Sequence, residues 1–180
     1  MVERFDLPTP EFSHPVRVDR LPDQTIALHA DEAARAALAK RFALAAIDDL
    51  RAHATLERTE AGIRLTGHLD AAIQQDCAVS GEPFANTIAE NFDLLYVTHA
   101  PDPAEEEEYE LSEDELDQIV IEGDTIDVGE AVAQTLGVSI DPYARGPQAD
   151  TARAQSGLAS DEDRPATGPL AEALKGLKPD

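Results

Sequence analysis

Between Leu50 and Ala71 the chain carries a pattern that very few folds accept. Leu50, Ala52, Ala54 and Leu56 alternate with Arg51, His53, Thr55 and Glu57; Ile63, Leu65, Gly67, Leu69 and Ala71 then alternate with Arg64, Thr66, His68 and Asp70. A period of two places every second side chain on one face of a strand, so both runs read as strands with one dry and one wet face. Glu60-Ala61-Gly62 lies between them and supplies a glycine-containing hairpin turn. The pair therefore predicts antiparallel β-structure whose apolar face needs something to cover it.

The flanking segments extend that sheet and supply the cover. Ser80-Gly81-Glu82-Pro83 is a second turn, between Ile73–Val79 and a long extended stretch from Ala85 to Thr98, so residues 45–100 read as a three-stranded antiparallel meander. Upstream, Val16 and Val18 alternate with Arg17 and Asp19, and Pro22-Asp23 turns the chain into a short strand at Thr25–Leu28. Asp31 is a side-chain cap for a helix that runs to about Phe42 and stacks Ala34, Leu38 and Phe42 at spacing four. Downstream, Ile119-Val120-Ile121 is compact enough for a final buried strand. Asp127 followed by Glu130 resembles a capping box opening an amphipathic helix with Ala131, Val132, Thr135, Leu136 and Val138, which ends near Gly137. The fold class is thus α+β: mainly antiparallel sheet, a meander or its barrel-like closure, with two helices. Five Phe, three Tyr and no Trp leave the core to Leu, Ile, Val and Ala.

The folded domain is expected over residues 10–146. From Gly146 to Gly168 the composition turns to Gly, Pro, Ser, Asp, Gln and Ala, the signature of a flexible linker over 147–168. Residues 169–178, Pro-Leu-Ala-Glu-Ala-Leu-Lys-Gly-Leu-Lys, form a short amphipathic motif too brief to be a stable helix alone. The acidic stretch that begins at Pro101-Asp102-Pro103 reads as a solvated, disordered loop.

Charge distribution narrows function further. Residues 1–64 carry 11 acidic and 9 basic side chains, whereas residues 65–144 carry 20 acidic ones and no Lys or Arg. Such a surface repels phosphate and attracts cations or basic proteins. Glu105, Glu106, Glu107 and Glu108 are its densest point and the expected partner-facing surface. An RNA contact would have to use Arg17, Arg20, Arg35, Lys40, Arg41 and Arg51, a thin set. The first residues lack an apolar signal region and no window has the ~20 apolar residues of a membrane span, so the expected location is the cytoplasm, away from membranes.

Catalytic chemistry has little to build on. No CxxC, HExxH, P-loop or GxSxG pattern occurs. His53 and His68 fall on facing strands but in the polar phase, which reads as exposed surface. Cys77, the one cysteine, excludes an internal disulfide and has no basic neighbour in sequence to activate its thiol. Residues 102–117 hold carboxylates but lack the turn glycine of an EF-hand. Neither metal, cofactor nor enzymatic activity is expected.

Two segments, Cys77-Ala78-Val79-Ser80-Gly81-Glu82-Pro83-Phe84 and Ile126-Asp127-Val128-Gly129-Glu130 running on to Asp141-Pro142-Tyr143-Ala144-Arg145, resemble the YceD family of large ribosomal RNA subunit accumulation proteins, in its alphaproteobacterial-type form. Their order, the charged insertion between them and the terminal motif carry the likeness, which spans about residues 10–178. It implies a non-enzymatic factor supporting 23S ribosomal RNA accumulation and large-subunit assembly. The implied partner is a basic ribosomal protein or large-subunit precursor, with ribosomal RNA contact indirect or limited; the competing expectation is a general acidic adaptor or chaperone. The motif positions Cys77, Gly81, Glu82, Pro83, Phe84, Asp127, Gly129, Glu130, Asp141, Pro142 and Arg145 become candidate binding residues. Many family members have a second Cys that invites zinc; here Ser80 stands in its place, and a structural zinc wants four ligands.

Overall fold

A computed structural model describes residues 10–97, 118–121 and 123–157. The elements in chain order are β1 (Pro15–Arg17), β2 (Ile26–His29), α1 (Glu32–Arg41), β3 (Ala46–Arg58), β4 (Ile63–Asp76), β5 (Pro83–Val97), β6 (Gln118–Val120), β7 (Thr125–Asp127), α2 (Val128–Ser139) and α3 (Ala149–Gln155). The expected meander is present as β3, β4 and β5, all antiparallel. It forms the centre of a five-stranded sheet ordered β2-β3-β4-β5-β6, which among the described residues stays open rather than closing into a barrel. A second, two-stranded sheet pairs β1 with β7.

Alternation decides which side of the long strands is dry. Leu50, Ala52, Ala54 and Leu56 are buried, as are Ile63, Leu65, Leu69, Ala71 and Ile73 on the neighbouring strand. Gly67 occupies the inner phase opposite Phe92 and Ala54. A Cβ there would collide with the Phe92 ring and the His53 carbonyl, so the glycine leaves room for the aromatic ring to lie across the sheet. α1 packs on β3, and α2 packs against β5, β4 and β1. Leu38 of α1 and Val132 and Leu136 of α2 are fully buried in the same cluster as the sheet residues. Burying an aliphatic side chain of that size contributes about 1.5–3 kcal/mol, so these two helices fix the sheet's covered face.

Three expectations are corrected here. Ile119-Val120-Ile121 is not a buried strand: β6 is a three-residue edge that pairs parallel to β5, and Val120 is 45% exposed. An edge strand has one neighbour, which leaves Val120 uncovered. Val138 lies outside the buried stripe of α2, while the helix ends at Ser139, near Gly137 as expected. The stripe is Val128, Ala131, Val132 and Leu136, with Gly129 and Ala133 also buried. A short helix, α3, stands in the stretch whose composition read as flexible linker; Ala149 is buried and seats its first turn. The acidic run Glu105–Glu108 and the terminal motif 169–178 lie outside the described residues.

Candidate functional site

The motif residues gather at two places. At the first, Asp127 closes β7 and caps α2: its Oδ1 accepts the Glu130 backbone N–H at 3.1 Å. The same carboxylate accepts the His14 backbone N–H at 2.7 Å and the Ser13 hydroxyl at 2.5 Å. Gly129 lets the incoming chain lie directly on the helix, since a Cβ would come within 2.5 Å of the Phe12 carbonyl oxygen. Glu130 does not complete a capping box. Its carboxylate instead takes a bidentate pair from Arg41 at the end of α1, at 2.8 and 2.9 Å, and also accepts from Gln134. The Arg41 hydrogen bonds hold the Glu130 carboxyl below its ordinary range, against the opposing pull of burial. Arg41 reaches Glu11 as well, at 3.1 Å. Asp127, Gly129 and Glu130 therefore clamp the N-terminal segment and α1 onto α2.

At the second place the Cys77 and Asp141 motifs meet. Cys77 directly follows β4, and the turn it opens closes through the Gly81 N–H to the Cys77 carbonyl, 2.8 Å. Gly81 takes a φ of +70°, a left-handed conformation that costs a residue with a Cβ about 1–2 kcal/mol. The Cys77 N–H returns to the Glu82 carbonyl at 2.9 Å, and the Ala78 N–H reaches the Ala144 carbonyl at 3.0 Å. Pro83 starts β5, and the Phe84 ring covers Gly146, where a Cβ would stand 2.9 Å from the ring. Pro142 and Arg145 are exposed on the adjoining loop.

The Cys77 thiol is brought down to about 7 by hydrogen bonds, with no cation among the described residues contributing. The largest influence is a hydrogen bond from the Ser80 side chain, followed by the Ser80 backbone N–H; burial opposes both, and the Val79 and Gly146 N–H groups assist. Donors aimed at sulfur favour the thiolate. The serine at the second position of the would-be CxxC pair is thus the thiol's main partner. Cys77 is nevertheless buried, which restricts attack by a bulky reagent.

Residue type had signalled the caps and turns of both places. That they converge pairwise was not legible, because hydrogen bonds such as His14 to Asp127 join residues 113 positions apart. Gln75, absent from the candidate residues, holds the second place together. It is 5% exposed, donates to the Asp141 carbonyl at 3.1 Å and accepts from Asn86 at 3.2 Å. Its place in the inward phase of β4, in a position that alternation assigns to the core, was the available signal.

His53 and His68 do stand directly opposite each other across β3 and β4. They lie on the solvent side of the sheet; His68 contacts Asn91 at 2.9 Å and Asp70 at 3.4 Å. Among the described residues no three His, Cys, Asp or Glu side chains converge on one point suited to a metal. No helix among them is long and apolar enough to cross a membrane.

The basic residues of the first third are mostly occupied. Arg17 pairs with Asp19 and Asp124, Arg51 with Asp49, Arg41 with Glu130 and Glu11, and Arg35 donates to the Ala30 carbonyl. Arg20 lies close enough to Asp19 to help hold that carboxyl below its ordinary range.

Comparison with protein-family models matches residues 65–178, more than half of the chain, to the family described as Large ribosomal RNA subunit accumulation protein YceD. The match begins within β4 and takes in both motif clusters and the terminal motif. Comparison with curated proteins and with solved structures finds no match.

Proposed function

The chain belongs to the YceD family, a family of large ribosomal RNA subunit accumulation proteins, and from that premise we propose that it works by binding a basic ribosomal protein or large-subunit precursor. In this reading it is a cytoplasmic, non-enzymatic factor in 23S ribosomal RNA accumulation and large-subunit assembly. The observation that carries the mechanism is the run of 80 residues, 65–144, with 20 carboxylates and no Lys or Arg. A field of one sign accelerates encounter with a partner of the other sign and disfavours phosphate. The pairing of Arg17, Arg41 and Arg51 with carboxylates supports the same reading, because it draws down the cations an RNA backbone would need. Glu105, Glu106, Glu107 and Glu108 belong to this partner-facing surface, and ribosomal RNA contact is limited or indirect.

The test is deletion of the gene followed by quantification of 23S ribosomal RNA, its precursors and large subunits. Loss of mature 23S RNA and of large subunits is the expected result, restored by the wild-type chain. Unchanged levels would leave the general acidic adaptor as the better description.

A further inference from the structure

Among the described residues, two large apolar side chains are almost wholly in water: Val138 is 85% exposed and Tyr143 79% exposed. They sit five positions apart, at the end of α2 and on the loop that follows. A floppy loop would make this unremarkable, but the loop is tied down on several sides. The Asp141 side chain accepts the Tyr143 N–H at 2.8 Å, and the Ala144 N–H returns to the Asp141 carbonyl at 3.3 Å. Ala78 N–H holds the Ala144 carbonyl, and the Phe84 ring packs on Gly146. Gln75 reaches the Asp141 carbonyl from inside the protein, and it is the one buried polar residue among those described.

Burying an amide is tolerated only when its hydrogen bonds are made, and apolar residues of the same volume avoid the cost. Here the amide's donor is used on a segment whose outermost side chain, Tyr143, stands 79% exposed. Preorganisation of that kind lowers the ordering cost of binding. Tyrosine is also among the side chains that most often dominate an interface when they enter a partner's pocket.

We propose that Tyr143, with Val138 five positions before it, is a rigidly presented apolar anchor for the basic large-subunit protein of the preceding section. The inference rests on that reading and gives it a location. The anchor's surroundings fit a basic protein better than RNA. The segments bonded to the loop carry Asp76, Glu82, Asp141 and Asp150, against Arg145 and Arg153. Carboxylates in the majority repel phosphate, while an aromatic face among them accommodates a Lys or Arg side chain.

The probe is the total protein extracted from purified large ribosomal subunits, passed over the full-length immobilised chain. A retained component is identified, purified and titrated at two salt concentrations. Tyr143→Ala weakens its binding by about tenfold or more, the scale of an aromatic anchor, whereas Tyr143→Phe retains it. The unfolding midpoint of both variants stays at the wild-type value, since the side chain is exposed. The dependence of affinity on salt stays as steep in Tyr143→Ala as in wild type, because a neutral contact is lost. Tyr143→Ala binding within about twofold of wild type overturns the anchor and leaves the basic partner standing. If the wild-type chain retains nothing from the extract, or takes naked 23S RNA instead, the partner reading fails and the anchor fails with it.

Discussion

Ala43 is the one non-glycine residue among those described with a positive φ, +54°. It occupies the position just past the Phe42 cap of α1. The Leu44 N–H bonds back to the Ala39 carbonyl at 2.9 Å, and the Ala43 N–H to the Lys40 carbonyl at 3.4 Å. These two bonds define a Schellman ending, for which glycine is the usual residue because its missing Cβ removes the left-handed penalty. Ala43→Gly therefore relieves about 1–2 kcal/mol of local strain and gives back part of it through the freer unfolded chain. The expected outcome is a gain of about 1 kcal/mol, seen as a higher urea midpoint with an unchanged slope. An equal or lower midpoint would mean that the backbone here is not left-handed in solution. Nothing in the sequence marks this residue, since an alanine between Phe42 and Leu44 reads as a continuation of the helix.

At the scale of elements, what the sequence discloses and what it hides divide cleanly by range. β3, β4, β5 and α1 were legible because each announces itself locally, through alternation, a turn glycine or the Asp31 cap. That cap is realised: its Oδ1 accepts the Ala34 N–H at 2.8 Å. The pairing of β1 with β7 was hidden, since two three-residue strands 110 positions apart leave no periodic trace. Asp127 was recognised as a cap, but its second task, holding Ser13 and His14, depends on that same long-range pairing. One carboxylate therefore serves a helix start and a strand junction together. Replacing it by Ala removes the cap, at about 1 kcal/mol, and leaves the His14 N–H and Ser13 hydroxyl without their acceptor. Asp127→Ala is expected to lower stability by about 2–3 kcal/mol in total. Asp127→Asn keeps an oxygen for the cap and should recover part of the loss. Hydrogen exchange checks the element-level claim: amides of β1 and β7 should lose protection in Asp127→Ala while those of β4 keep it. Equal loss in β4 would show that the junction and the main sheet unfold as one unit.

For the whole molecule, a formal net charge of −23 acts on folding and on binding with opposite sign. Within the chain, carboxylates repel one another, and few cations stand ready to compensate. The clearest pairs, Arg64 with Asp93 and Arg41 with Glu130, already neutralise single members of the excess. Self-repulsion disfavours the compact state because folding brings like charges together. Added salt shortens the screening length from about 30 Å at 0.01 M to about 8 Å at 0.15 M, so it relieves this repulsion. The thermal midpoint should therefore rise with sodium chloride over that range. Binding to a basic partner runs the other way, because the same screening removes the attraction between unlike charges. One titration thus separates the two contributions: stability climbs while affinity falls. Neutralising Glu105, Glu106, Glu107 and Glu108 to Gln should flatten both trends, since it removes four members of the densest anionic run. A midpoint indifferent to salt would show that the carboxylates are already compensated within the fold. Affinity indifferent to salt would remove charge from the mechanism and leave Tyr143 and its neighbours to account for recognition.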